Sequence, residues 1–421
     1  IYGGMNTQGS VASYGPIERL AVSGPHVLVA MNYRLNVFGF LALPELAEVD
    51  PRGSSGNAGI ADQQLALNWV QGNVAAFGGD PGCVTIIGQS SGATNVFAHL
   101  AAPGSAGMFH RAIALSGSPN ITMDRATKEA QDRRLVVENS PCRGTSGQAL
   151  RECLYGLSAE ELFGSMPDSY SMFEALYDYP TNKKGLSSRV SALVHVDGVT
   201  VARELEEALR SGLNDVPLLV QSLEAEMACY PVPELEGLTS EGLLWFLTEK
   251  FATAYGEQLP RFVWELYSQI SSRYSPEYAV YAVDADTACS CGLQALAAAA
   301  GEGFRSPVYW GTVAAAPAAP IEGQKFAFHN WDVTAAIEDW GSYKPSPGDK
   351  RFGAMLRQQW SQLAASGRLD EDAWVPVQRS LARPVSSVLE SNGTRPVFGL
   401  KVEICDFWKS QGVDQRWWWI N

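Results

Sequence analysis

The sequence predicts an α/β fold, a mostly parallel central sheet flanked by helices. Three observations carry this. Several short runs, among them residues 26–33, 111–116 and 308–313, are apolar at nearly every position, as strands buried on both faces must be. Longer stretches between them place apolar residues at helical spacing. One junction, 84–93, passes from a β-branched run through Gly88-Gln89-Ser90-Ser91-Gly92 into a helix-compatible stretch, 94–101.

Taken in order, Gly3-Gly4-Met5 reads as the end of a strand entering a glycine-rich loop whose backbone N–H groups can hold an anionic oxygen. Residues 26–33 read as a strand. Residues 60–77 carry Leu65, Leu67, Trp69 and Val70 at helical spacing and stop at Gly78-Gly79-Asp80-Pro81. With the strand that follows at 84, this makes a βαβ unit. After the strand at 111–116, a polar and aromatic mixture over about 120–215 reads as an inserted region within one domain spanning 1–421. Strands return at 216–221 and 308–313, with a helix over 295–300 and a loop over 314–320. A helix over 352–366 ends at Gly367, and 396–400 precedes a Trp417-Trp418-Trp419 tail, which reads as a packing element rather than a partner site.

The chain has 421 residues, 46% of them hydrophobic, enough for a substantial core. No apolar run is long enough for a membrane span. A formal charge of −14 argues against nucleic acid, which needs a concentrated basic surface. The seven cysteines include a single Cys-x-Cys pair without histidines at ligand spacing, so zinc is a poor reading and neither metal nor cofactor is expected. Asn120-Ile121-Thr122 and Asn392-Gly393-Thr394 have the glycosylation triplet and lean toward secretion.

A serine at the apex of a strand-turn-helix junction has strained dihedrals, and its neighbours at minus two and plus two must be small. Gly88 and Gly92 supply that room around Ser90. The competing reading is an ordinary loop with Ser90 or Ser91 as a helix N-cap. A serine nucleophile needs a base, and histidine's pKa suits it to the task. The acid and base should follow the serine on loops at strand carboxyl ends. Of five histidines, His26 precedes the serine, His99 lies in the helix after it, and His110 and His195 precede any acid on a strand end. His329 remains. Beyond 216–221 stand Glu224 and Glu226, and spacing does not choose between them.

These segments resemble the type-B carboxylesterases, the cholinesterase-like branch of the α/β-hydrolases. The resemblance rests on Asn32-Tyr33-Arg34-Leu35 with Gly39-Phe40-Leu41, Asp62-Gln63 with Trp69, Phe77-Gly78-Gly79-Asp80-Pro81, and Phe109-His110-Arg111-Ala112-Ile113 with Ser116-Gly117-Ser118, and it runs to about residue 408. Aligning Val216-Pro217-Leu218-Leu219 with the family's acid strand puts the glutamate at Glu226, and the family's histidine loop falls on Ala327, His329 and Asp332.

The resemblance implies an α/β-hydrolase fold and a secreted serine esterase acting on small carboxylic esters through an acyl-enzyme. Ser90 is then the nucleophile, His329 the base and Glu226 its partner, with an oxyanion site at Gly4, Met5 and Ser91 and Gly3 at the bend. It implies a Cys142–Cys153 disulfide and a long-range bridge from Cys405 to either Cys289 or Cys291. Roughly a hundred residues, including early strands of the sheet, are expected ahead of Ile1. Gln89, Ser91, Met5, Met227 and Asn330 stand where the family usually has glutamate, alanine and glycines. The competing functional readings are a cholinesterase-like adhesion protein without catalysis and an inert fragment. Against the first, all three triad positions carry competent chemistry. Oligomeric state and the identity of the ester are left open.

Overall fold

The computed structural model describes residues 1–15, 17–166, 193–229, 232–380 and 384–412. Its centre is a six-stranded sheet in sequence order, β1 (Thr85–Gln89), β2 (Arg111–Leu115), β3 (Leu218–Leu223), β4 (Val308–Val313), β5 (Val385–Glu390) and β6 (Gly393–Phe398). The first five are parallel, and β6 pairs antiparallel with β5.

Every residue of β3 and β4 is buried. Their side chains alternate between two cores. Leu219, Leu223, Tyr309 and Val313 enter one, while Leu218, Val220, Val308 and Trp310 enter the other. This period-two division explains why both strands read as nearly continuous apolar runs, since each face is covered. Full burial of one such side chain contributes about 1.5–3 kcal/mol, so the central strands are the most costly places to introduce a charge.

Helices cover both faces, principally α1 (Ala58–Asn73), α2 (Ser91–Leu100), α3 (Cys291–Gly303), α4 (Trp331–Ile337) and α5 (Pro347–Ser366). In α1 the inward residues include Ile60, Gln63, Leu67 and Val70, whereas Leu65 and Trp69, read as part of the buried stripe, face outward at 70% and 48% exposure. Helix α5 begins with a Ser346 capping box and ends at Gly367, whose φ of 71° is the left-handed conformation glycine adopts cheaply. The 120–215 stretch contributes Arg125–Leu135, Gly147–Gly156, Ala159–Gly164 and Leu205–Arg210 as helices. Residues 167–192, and the Trp417-Trp418-Trp419 tail, lie outside the described residues.

The strand expected over 26–33 is absent. The segment pairs with no strand among the described residues, and Val27, Leu28 and Val29 are 36–41% exposed. A cavity of about 440 Å³ separates it from the free edge of β1, with Val27, Val29, Thr85 and Ile87 in its walls. Its apolar pattern is that of a buried strand, but pattern alone does not supply a pairing partner. The β5–β6 hairpin supplies two strands where only a closing stretch at 396–400 was read, because Gly393 and Pro396 interrupt the pattern of β6. An edge strand tolerates both.

Disulfides join Cys142 to Cys153 and Cys291 to Cys405. Cys289, the alternative partner of Cys405, is a buried free thiol. It lies two positions ahead of the bonded cysteine, and burial pushes its thiol up in pKa. Of the two glycosylation triplets, Asn392 is exposed in the β5–β6 turn. Asn120 is only 6% exposed, and its Oδ1 accepts the Thr122 hydroxyl. No helix among the described residues is long and apolar enough to cross a membrane, and no group of three metal-ligating side chains occurs among them.

Candidate active site

The parallel strands deliver three loops to one end of the sheet. Ser90 follows β1, Glu226 lies three residues beyond β3, and His329 sits on the loop between β4 and α4. Backbone hydrogen bonds knit these loops together, with the Ser90 N–H donating to Leu115 O, the Ala225 N–H to Ala327 O and the His329 N–H to Glu226 O. The topology, rather than any local sequence feature, makes neighbours of residues so far apart in the chain.

At the β1–α2 junction Ser90 has φ 59° and ψ −132°, a conformation non-glycine residues rarely adopt. A side chain at position 88 would lie 2.2 Å from the Gly92 carbonyl oxygen, and one at position 92 would lie 2.3 Å from Ile1 O. Glycine at both positions is therefore a steric requirement of the turn. Ser90 occupies the N-cap position of α2 yet makes no side-chain capping bond, so its hydroxyl is not spent on the helix.

The Glu226 side chain is 1% exposed. Its Oε1 accepts the Leu223 N–H at 2.8 Å, and its Oε2 lies 2.6 Å from His329 Nδ1. Glu224 is engaged elsewhere, accepting the Tyr278 hydroxyl at 2.9 Å. Asp332, also taken from the resemblance, is fully buried in the first turn of α4. It accepts from Gln221 at 2.7 Å, and burial, with the charge of Glu226, pushes its carboxyl up to about 6.

The other four histidines have separate surroundings. His26 bonds Ser361, and His110 accepts the Val84 N–H. His99 is fully buried between Ser105 and Gln63, and its pKa is depressed to about 3 by that burial. His195 is buried as well.

The glycine-rich loop wraps against this turn. Position 3 sits so close to the Gln89 carbonyl oxygen and Ser90 Cβ, 2.6 and 2.7 Å from where a Cβ would stand, that only glycine fits. The Gly3 N–H is committed to Tyr14 Oη at 2.8 Å. Among the described residues the Gly4 and Met5 N–H groups have no acceptor, and Ser91 opens α2, where helices leave N–H groups without intrahelical partners. Met5 and Asn6 take positive φ values of 61° and 55°. Asn6 holds them there. Its N–H donates to Ser91 Oγ at 2.9 Å, its side chain exchanges two hydrogen bonds with Asn95, and its carbonyl accepts from Asn36. Sequence reasoning missed Asn6 and Asn95, although an asparagine in a glycine-rich turn is a signal for a left-handed residue.

Gly4, Met5, Ser90, His329, Phe328 and Trp340 contribute to the wall of a cavity of about 490 Å³, a volume suited to a small molecule. The arrangement offers a hydroxyl on a strained turn, an imidazole held by a carboxylate, and backbone donors beside both.

The carboxylesterase family profile matches residues 1–245. Acetylcholinesterase from Gallus gallus is 49% identical over 121 residues, 28% of this chain and 15% of that protein. Acetylcholinesterase 4 from Caenorhabditis briggsae is 40% identical over 145 residues, 34% of this chain and 23% of that one. The matched stretches thus span less than a quarter of either relative. Among solved structures, a thermophilic PNB esterase aligns with a TM-score of 0.72 at 23% identity over 96% of this chain and 78% of its own. A second PNB esterase gives 0.71 at 23% over 98% and 80%. At that identity the structural likeness establishes the fold, which is that of the α/β-hydrolases. With the profile covering more than half of its residues, the chain belongs to the carboxylesterase family.

Proposed function

We propose that the protein is a serine hydrolase of small carboxylic esters, with Ser90 as nucleophile, His329 as general base and acid, and Glu226 as the group that orients and supports His329. The observation that carries the reading is the 2.6 Å contact between His329 Nδ1 and Glu226 Oε2 in the cavity that Ser90 also lines. An imidazole so held carries its proton on Nδ1, which leaves Nε2 as the acceptor.

Ser90 Oγ attacks the ester carbonyl carbon as its proton passes to His329 Nε2. The carbonyl oxygen becomes an oxyanion within reach of the Gly4, Met5 and Ser91 N–H groups. Collapse of the tetrahedral adduct breaks the bond to the alcohol oxygen, which leaves with the proton from His329. Water then attacks the acyl-Ser90 carbonyl, giving a proton to His329, and the carboxylic acid departs as that proton returns to Ser90. The Met5 side chain, 8% exposed at the cavity wall, narrows the space for the substrate.

The two disulfides favour an oxidising compartment, in keeping with secretion. The described core, continuous on each face of one sheet, fits a single domain into which the 120–215 region is inserted. Release of the chromophore from a short-chain aryl ester by the purified protein tests the reading. Hydrolysis lost on Ser90→Ala supports it, and no hydrolysis above the buffer rate contradicts it.

A further inference from the structure

Ser90 and His329 line one cavity, yet among the described residues no hydrogen bond joins their side chains. The Glu226 carboxylate accepts from His329 Nδ1, so the neutral ring carries its proton there and Nε2 is an acceptor. The group found against Nε2 is the carboxamide of Gln89, with Nε2 to Nε2 at 3.0 Å. Among the described residues, Gln89 and Glu226 are the hydrogen-bond partners of the His329 ring.

The carboxamide has no freedom to present its oxygen instead. Gln89 is 4% exposed, and its Oε1 accepts the Tyr14 hydroxyl at 2.6 Å. The Tyr14 oxygen in turn accepts the Gly3 N–H at 2.8 Å, which directs its own proton toward Gln89. Burial pushes the Tyr14 phenol up, so it keeps that proton. Every donor in the sequence Gly3, Tyr14, Gln89, His329, Glu226 therefore points the same way. The chain of bonds begins on the glycine-rich loop and ends on the carboxylate.

We propose that Gln89 is a positioning residue that latches the base, its carboxamide N–H occupying the His329 Nε2 lone pair that Ser90 must reach. This rests on the hydrolase reading and adds a resting state to it. Transfer of the Ser90 proton to Nε2 requires the Gln89 N–H···Nε2 bond to break first. The latch also opposes the imidazolium, since a protonated Nε2 would meet an N–H donor. The Tyr14 bond resists the rotation that would turn the carboxamide oxygen to it.

Other groups bear on the same ring. Glu226 contacts Nδ1, and Asp332 lies close enough to exchange charge effects with it. Tyr14 stands behind Gln89, and Glu322, Asp339, Cys229 and Tyr343 line the cavity in front. Apart from Tyr14, which loses its acceptor, these keep their partners in a variant at position 89.

The test compares Gln89→Met and Gln89→Leu, both of which lack the donor, with the wild-type protein. Each is labelled with ring-15N histidine, and His329 is assigned from a His329→Asn sample. The latch predicts that the Nε2 resonance of the neutral His329 ring moves downfield in both variants, as an acceptor nitrogen does on losing its donor, while the other histidines stay in place. It also predicts that both variants react with a fluorophosphonate about three- to tenfold faster than wild type. An unmoved Nε2 resonance, or a moved one without faster inactivation, overturns the latch. If neither the variants nor the wild type react with the fluorophosphonate, while the resonance moves as stated, the hydrolase reading fails and the latch on a base fails with it.

Discussion

His329 and Glu226, 103 positions apart, are joined twice, by the 2.6 Å contact between Nδ1 and Oε2 and by the His329 N–H donated to the Glu226 carbonyl at 3.0 Å. The second bond fixes the loops, so the first does not depend on side-chain rotamers alone. Glu226→Gln therefore leaves the loops in place while removing the charge and disturbing the tautomer. A fall in kcat of about 10⁴-fold follows. Glu224→Gln, which still offers an oxygen to Tyr278, keeps kcat within tenfold of wild type, roughly the scale of one neutral hydrogen bond. Steady-state ester hydrolysis by the two variants checks this.

Asn95→Ala removes two hydrogen bonds of the buried Asn6 side chain that hold the loop at its positive φ values, leaving it the Tyr33 hydroxyl at 3.5 Å. Leaving that amide's donor unsatisfied costs about 1–3 kcal/mol of stability. Misplacing the Gly4 and Met5 donors lowers kcat by about 10²-fold. Denaturant unfolding and hydrolysis rates on the same preparation measure both effects.

The Asp332 carboxyl has its pKa raised from 3.8 to about 6 in the folded chain. The folded state therefore prefers it protonated. Its favourable contribution is complete below about 3.8 and is lost as the pH rises through about 6. Asp332→Asn should then be more stable than wild type at pH 7 by up to about 3 kcal/mol, with the gap closing at pH 4. Gln221 can follow the change, since its Oε1 has no partner among the described residues and can turn toward the new amide. Urea midpoints at the two pH values give the answer, and a gap of equal size at both would rule out this origin.

With two disulfides, and with Cys83, Cys229 and Cys289 in neither, alkylation in denaturant without reductant adds three groups, and alkylation after reduction adds seven. Intact mass reads both numbers. A shortfall in the second step, or bridged peptides containing Cys289, would contradict the pairing.

The positions proposed for the triad could be nominated from the sequence because parallel strands send their carboxyl ends to one rim, which turns chain order into proximity. That logic selected Ser90 and His329 from the residues alone. It did not separate Glu224 from Glu226, two neighbours on one loop whose side chains diverge, one to Tyr278 and one to His329. The resemblance was needed for that. The Gly3, Tyr14, Gln89 and His329 sequence of bonds was not legible at all. It depends on the rotamers of partly buried side chains 75 and 240 positions apart, and sequence patterns carry no information on those. The failure at 26–33 is of another kind, since an apolar run reports a preference for burial and not the neighbour that satisfies it.

The most direct measurement is the site of covalent attachment of a fluorophosphonate, located by peptide mass spectrometry. The account predicts one adduct on Ser90, abolished by Ser90→Ala. In Ser91→Ala the adduct persists, formed more slowly because the Asn6 N–H loses its acceptor. An adduct on Ser91, or one on Ser90 that survives His329→Ala at an undiminished rate, would contradict it.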